Sequence, residues 1–167
     1  MPRRKRKWQP RELKMLHEYL AKYHANDIVM TRIRLGSHHP ELIIPGLEES
    51  ELRLIGVFRR WADAVIIQPD KLILMEAKIL PEPGVISQLE LYEFLLPHTP
   101  ELQPYLPRPI EKQLLFAIED PAVITLCHQH GIIPIMYRPS WIEEYINELY
   151  PRMRRGKKTF PLPEGEE

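Results

Sequence analysis

The chain has 167 residues, 44% of them hydrophobic, and its 23 Lys and Arg are balanced by 23 Asp and Glu. That length suits one domain with a substantial core, and with no 18-residue apolar run and no secretory signal the expected setting is cytoplasmic and away from the membrane. Cys127 is the only cysteine, which excludes an intrachain disulfide and any four-cysteine metal centre.

Zero net charge conceals a segregation. Arg3, Arg4, Lys5, Arg6 and Lys7 form a basic N-terminal arm over residues 1–9, and Arg152, Arg154, Arg155, Lys157 and Lys158 open a tail over 151–167 that turns acidic. Residues 8–151 carry 13 Lys and Arg against 20 Asp and Glu, a net of −7. An acidic body with basic ends suits a protein that grips a polyanion by counterion release, so DNA is the expected partner and the arms its binding residues.

Leu13, Leu16, Leu20 and Tyr23 recur at helical spacing, predicting an opening helix over 10–24. Residues 28–35 alternate as a strand that ends at Gly36, and Ser37 to Glu51 read as a loop able to fold over a site. A long strand over 52–67, broken near Gly56 or Arg59, is followed by its partner over 72–79 and a helix over 85–96 that Pro97 ends. A proline-rich connection then leads to a strand over 113–119, a helix over 121–130 capped by Gly131, a strand over 132–137 and a helix over 140–150. Pro134 places the last strand at a sheet edge. The order is that of an α/β protein, a mixed central sheet flanked by helices within a single domain over 10–150.

Chemistry concentrates on the central hairpin. The segments WADAVII (61–67) and LILMEAKI (72–79) are joined by Gln68-Pro69-Asp70-Lys71, a turn signal with an even number of residues. Centring the turn between Pro69 and Asp70 sets Asp63 opposite Glu76, on one face of the hairpin, and the strand period returns Lys78 to that face while Ala77 points away. Val65, Ile67, Leu72 and Leu74 line one face, and Ala62, Ala64, Ile66, Ile73 and Met75 the other. Strands apolar on both faces are central ones. Charges near the ends of such strands are costly unless paired or bound to metal, which marks this group as a candidate site.

Asp63, the Glu76-Ala77-Lys78 triplet and Gln88-xxx-Tyr92 on the next helix, in this order, resemble the PD-(D/E)xK nuclease superfamily in its RecB-like branch. The resemblance spans roughly residues 10–119. It implies a restriction-endonuclease-like α-β-β-β-α-β core and metal-dependent hydrolysis of DNA. Asp63, Glu76, Lys78 and Gln88 would be the catalytic residues, with Asp63, Glu76 and the Ala77 carbonyl holding Mg²⁺ or Mn²⁺. Lys78 would orient a metal-activated water or stabilise charge at phosphorus, and Gln88 would position the water or the DNA backbone. Two positions depart from the family pattern. Arg60 stands where RecB-like members carry glycine, and no upstream histidine among His17, His24, His38 and His39 is assignable as a further ligand. Glu18, His39 and Tyr92 are accessory candidates, with Glu12 an alternative to Glu18.

Cys127-His128-Gln129-His130 fits no zinc spacing and reads as part of a helix around a core cysteine. Trp8 could stack on a base or anchor the arm, and Trp141, Tyr145 and Tyr150 read as packing residues. The alternative to an enzyme is a non-catalytic nucleic-acid-binding or phage or recombination assembly protein that keeps the nuclease fold. A nucleoid or virion location would suit it. Arms that contact phosphates carry little sequence information, so a homo-oligomer or a partner subunit would choose the target.

Overall fold

The computed structural model describes residues 9–37, Gly46, Glu48 and 60–148. Helix α1 (Gln9–Tyr23) leads into strands β1 (Ile28–Leu35), β2 (Arg60–Ile67) and β3 (Leu72–Lys78). Helix α2 (Gly84–Leu95), strand β4 (Ile110–Phe116), helix α3 (Pro121–Gln129) and strand β5 (Ile132–Met136) follow. The strands form one sheet in the order β1-β2-β3-β4-β5, with β1, β2 and β3 antiparallel in succession and β4 and β5 parallel to β3. The architecture is thus mixed α/β, and Pro134 sits on the last strand of the sheet, where a missing N–H is tolerated. No described helix is long and apolar enough to cross a membrane. The chain divides into two compact units, Met1–Tyr137 and Arg138–Glu167; the described part of the second is a helix over 142–148, entered through an Ile142 N–H to Pro139 carbonyl bond of 3.0 Å.

The even turn sets the register. The Gln68 N–H bonds the Lys71 carbonyl at 2.9 Å, and pairing runs from Ile67↔Leu72 to Ala64↔Met75. Proline at the second turn position fixes φ and prepays part of the entropy of closing the hairpin. β3 is the middle strand, and Leu72 to Ala77 are all buried. One face of the sheet, with Val65, Ile67, Leu72, Leu74, Leu114 and Phe116, joins Val85, Ile86, Leu89 and Tyr92 of α2 and Val123 and Cys127 of α3 in one core. α1 packs against β3 separately, through the buried stripe Met15, Leu16, Tyr19 and Leu20.

Several expected boundaries and faces move. The α1 stripe is displaced from the predicted one: Leu13 is only half-buried and Tyr23 is exposed, its ring 4.8 Å from that of Tyr19. Ala62 belongs to the α2-facing core with Ile33 and Leu35, not to the opposite face. Beside it on β1, Arg32 takes a left-handed backbone (φ 51°) between the Thr31↔Ala64 and Ile33↔Ala62 pairs, where the regular alternation of the two strands is interrupted. β4 starts at Ile110 instead of 113, because its polar opening is paired: Glu111 with Lys71 (2.8 Å), Lys112 with Glu93 (2.7 Å) and Gln113 with Glu111 (2.7 Å). α2 stops at Leu95, and Pro97 lies inside a following 3₁₀ turn, Leu96–His98. The expected strand over 52–59, most of the loop after Ser37, His38, His39, Trp8, Tyr150 and both basic arms lie outside the described residues.

Candidate active site

The hairpin opens into a fork. β2 and β3 pair no further than Ala64↔Met75; beyond it β2 continues along β1 to Arg60 while β3 continues along β4 to Lys78. Asp63 and Glu76 are the next residues in register on the two prongs. Asp63 Oδ2 accepts the Ala77 N–H at 2.9 Å, so the side chain takes the role that a backbone carbonyl of β2 would fill in a continued ladder. Glu76 Oε1 accepts from Lys78 Nζ at 2.7 Å and from Gln88 Nε2 at 2.6 Å. Gln88 Nε2 also donates to the Tyr92 hydroxyl at 2.7 Å, and that hydroxyl donates to the Trp61 carbonyl at 2.8 Å. The i, i+4 spacing of Gln88 and Tyr92 on α2 makes this relay possible, and the relay ties the helix to both prongs.

The fork is electrostatically loaded. Glu76 is 2% exposed, and its Oε2 is buried with no hydrogen-bond partner among the described residues. Burial, and then the charge of Asp63, push the Glu76 carboxyl up to about 7, against the pull of Lys78 and Gln88. Burial also raises Asp63, while the Ala77 amide, Lys78, Arg32 and the neighbouring Glu76 side chain act the other way. Burial pulls Lys78 down, but Glu76, Asp63 and Glu12 together hold its ammonium above the ordinary value. Two acids and one cation thus share a largely buried site, where one negative charge exceeds what the lysine offsets.

Asp63, Glu76, Ala77, Lys78, Gln88 and Tyr92 therefore come together as the sequence predicts. Glu18 does not join them: it lies 3.9 Å from Lys14 along α1, and the structure brings Glu12 instead, whose Oε1 accepts the Ile79 N–H at 3.3 Å just past β3. The two differ by six positions, which on a helix points them to different faces. Among the described residues no three His, Cys, Asp or Glu converge on a metal-sized site, so the anionic part is the pair Asp63 and Glu76. Cys127 is buried in the core and His130 Nδ1 lies 2.5 Å from Glu90, in keeping with a packing role for that segment. Arg32 and Trp61 are neighbours of the fork that no motif marks. Arg32 acts on Asp63 from the adjacent strand, and the Trp61 carbonyl ends the relay from Glu76.

A scan of protein-family models, a search of curated proteins and a search of solved structures each return no match to this chain.

Proposed function

We propose that this chain is a metal-dependent DNA nuclease of the PD-(D/E)xK type, hydrolysing phosphodiester bonds at the fork between β2 and β3. The observation that carries the reading is the pair of half-buried Asp63 and buried Glu76, with both carboxyls raised and Glu76 Oε2 lacking a partner among the described residues. Such a pair is costly to hold unless a cation completes it. The order α1-β1-β2-β3-α2-β4, with Asp63 on β2, the triplet on β3 and Gln88 on α2, agrees with the restriction-endonuclease-like core that the motif implies.

The donor set fits Mg²⁺ or Mn²⁺. Hard carboxylate oxygens select these ions over softer-site metals, and Mg²⁺ is commonly held by one or two carboxylates. Asp63 and Glu76, with the Ala77 carbonyl, would hold the ion, which supplies Lewis acidity when bound. The chain's own residues do the rest. Lys78 and Gln88 fix Glu76 through Oε1, which leaves Oε2 as its free donor atom. Ala77 fixes Asp63 through Oδ2. The Lys78 ammonium, kept charged by its acidic neighbours, stands beside both carboxylates to stabilise charge developing on the scissile phosphate.

The test is incubation of the full chain with linear, circular, branched and single-stranded DNA, with Mg²⁺ or Mn²⁺ and with chelator, beside Lys78→Ala. Cleavage that needs the metal and fails in Lys78→Ala supports the enzyme. Absence of metal-dependent cleavage of all four substrates would transfer the reading to a nucleic-acid-binding protein.

A further inference from the structure

Two residues from Asp63 on β2, Trp61 is 58% exposed, far more than a core tryptophan. Its backbone is not loose: the Trp61 carbonyl accepts from Tyr92, at the end of the relay that starts on Glu76. On the neighbouring strand Arg34 is its direct partner, with the guanidinium 5.8 Å from the ring centroid. Arg32, further along that strand, acts electrostatically on Asp63, and exposed Arg60 precedes Trp61. An exposed aromatic residue with an arginine over its ring, tied through its carbonyl to the relay from Glu76, has the composition of a base-stacking platform.

Resting on the nuclease reading of the fork, we propose that Trp61 stacks on an unpaired base of the nucleotide beside the scissile phosphate, and that the substrate is DNA with unpaired bases: a single strand or a frayed end. Three features favour this occupant over a duplex. A base inside a duplex has both faces covered by its neighbours, so a ring set this close to the scissile position can be used only when stacking is broken. The separation of Trp61 from Asp63, two residues or roughly 7 Å of extended strand, is on the scale of one nucleotide. Arg34 over the ring and Arg32 beside Asp63 bring positive charge to this end of the sheet, in a body that is otherwise acidic. The rigid carbonyl of Trp61 keeps the platform in register with Glu76, so stacking also places the phosphate.

Binding, measured apart from cleavage, tests the proposal. Fluorescence anisotropy of the full chain with labelled single-stranded and blunt duplex oligonucleotides, in Ca²⁺ to suppress turnover, compares wild type with Trp61→Leu and Trp61→Phe. Leucine keeps apolar bulk without an aromatic face, and at so exposed a position neither variant disturbs the core. Trp61→Leu is expected to weaken single-strand binding roughly 5- to 100-fold, with duplex binding unchanged and Trp61→Phe recovering most of the loss. Equal affinity of wild type for single strand and duplex, or unchanged single-strand affinity in Trp61→Leu, overturns the proposal. If that happens while Mg²⁺-dependent cleavage persists, the nuclease reading stands and only the platform falls. If the Trp61 effect is present but no cleavage is found, stacking stands and the nuclease reading falls.

Discussion

The hairpin at the centre of the sheet carries a lysine–glutamate pair near each of its ends, and the two behave oppositely. At the turn, Lys71 meets Glu111 at 2.8 Å with both side chains about a quarter to a third exposed, and the lysine holds the Glu111 carboxyl below its ordinary range. At the fork, Lys78 meets Glu76 at 2.7 Å, yet Glu76 is pushed up to about 7. Nearly equal separations give opposite shifts because the surroundings differ: each glutamate has a glutamine donor, Gln113 or Gln88, but Glu111 keeps its solvent whereas Glu76 is buried and faces Asp63. An ion pair alone does not mark a site. A pair that fails to neutralise its buried acid does.

The largest effect expected from breaking the comparison is catalytic. Asp63→Ala removes one of the two metal-holding carboxylates and should lower DNA cleavage by roughly 10³-fold or more, with the circular dichroism spectrum unchanged. Lys71→Ala, at the closed end, should leave cleavage as it is. Equal activity of Asp63→Ala and wild type would refute the assignment of the fork.

The second effect is on stability. Glu76 ionises near 4.5 when unfolded and near 7 when folded, so between those pH values the folded chain keeps a proton that the unfolded chain has lost. Stability attributable to Glu76 is therefore full below about pH 4.5 and falls as pH rises towards 7, by about 3 kcal/mol at most. Glu76→Gln should flatten that slope and make the protein more stable than wild type at pH 8, as read by urea unfolding across the range. A wild-type slope of the opposite sign, unaltered in the variant, would mean that Glu76 is not held protonated.

Much of this end of the molecule was legible beforehand, for a local reason. The turn of Gln68 to Lys71 fixes an even register, and a period of two then carries Asp63, Glu76 and Lys78 to one place. What was not legible depends on distant partners. The divergence of β2 and β3 arises because each follows a different neighbour, β1 or β4, and no local pattern announces it. Nor does one announce that Glu12 reaches Ile79, which depends on how α1 lies against β3. The polar start of β4 misleads for the same reason: Glu111 and Lys112 look like loop residues until Lys71 and Glu93, far away in sequence, are set beside them.

A metal would reverse the electrostatic imbalance at the fork. Mg²⁺ at about 100 times its dissociation constant should stabilise the folded chain by about 2.7 kcal/mol at pH 8, where it meets ionised acids, and less at pH 5, where protons compete. Calorimetric melting with and without Mg²⁺ reads this directly, and Asp63→Asn should abolish the gain. Equal protection of wild type and variant would locate the ion elsewhere. Smaller again is the effect of Gln88→Ala, which removes a donor to Glu76 Oε1 and the link to Tyr92. Residues that orient metal ligands are typically worth 10–100-fold, so a loss of about that size in apparent Mg²⁺ affinity is expected, visible in the metal dependence of cleavage.

The smallest effect belongs to the turn and completes the contrast. Lys71→Ala breaks the pair with Glu111, but Glu111 keeps its Gln113 donor and its access to water, so the loss should be about 0.2–1 kcal/mol and shrink further in high salt. Lys78→Ala removes a comparably short pair from a site where Glu76 keeps its Gln88 donor but has no access to water, leaving Glu76 and Asp63 without the cation that partly offsets them. The chain should respond by raising the Glu76 carboxyl further, and its unfolding free energy should then depend on pH more steeply and up to a higher pH than in wild type. If both lysine variants lost the same stability with the same salt dependence, burial at the fork would be doing nothing that the surface does not, and the distinction between the two ends would collapse.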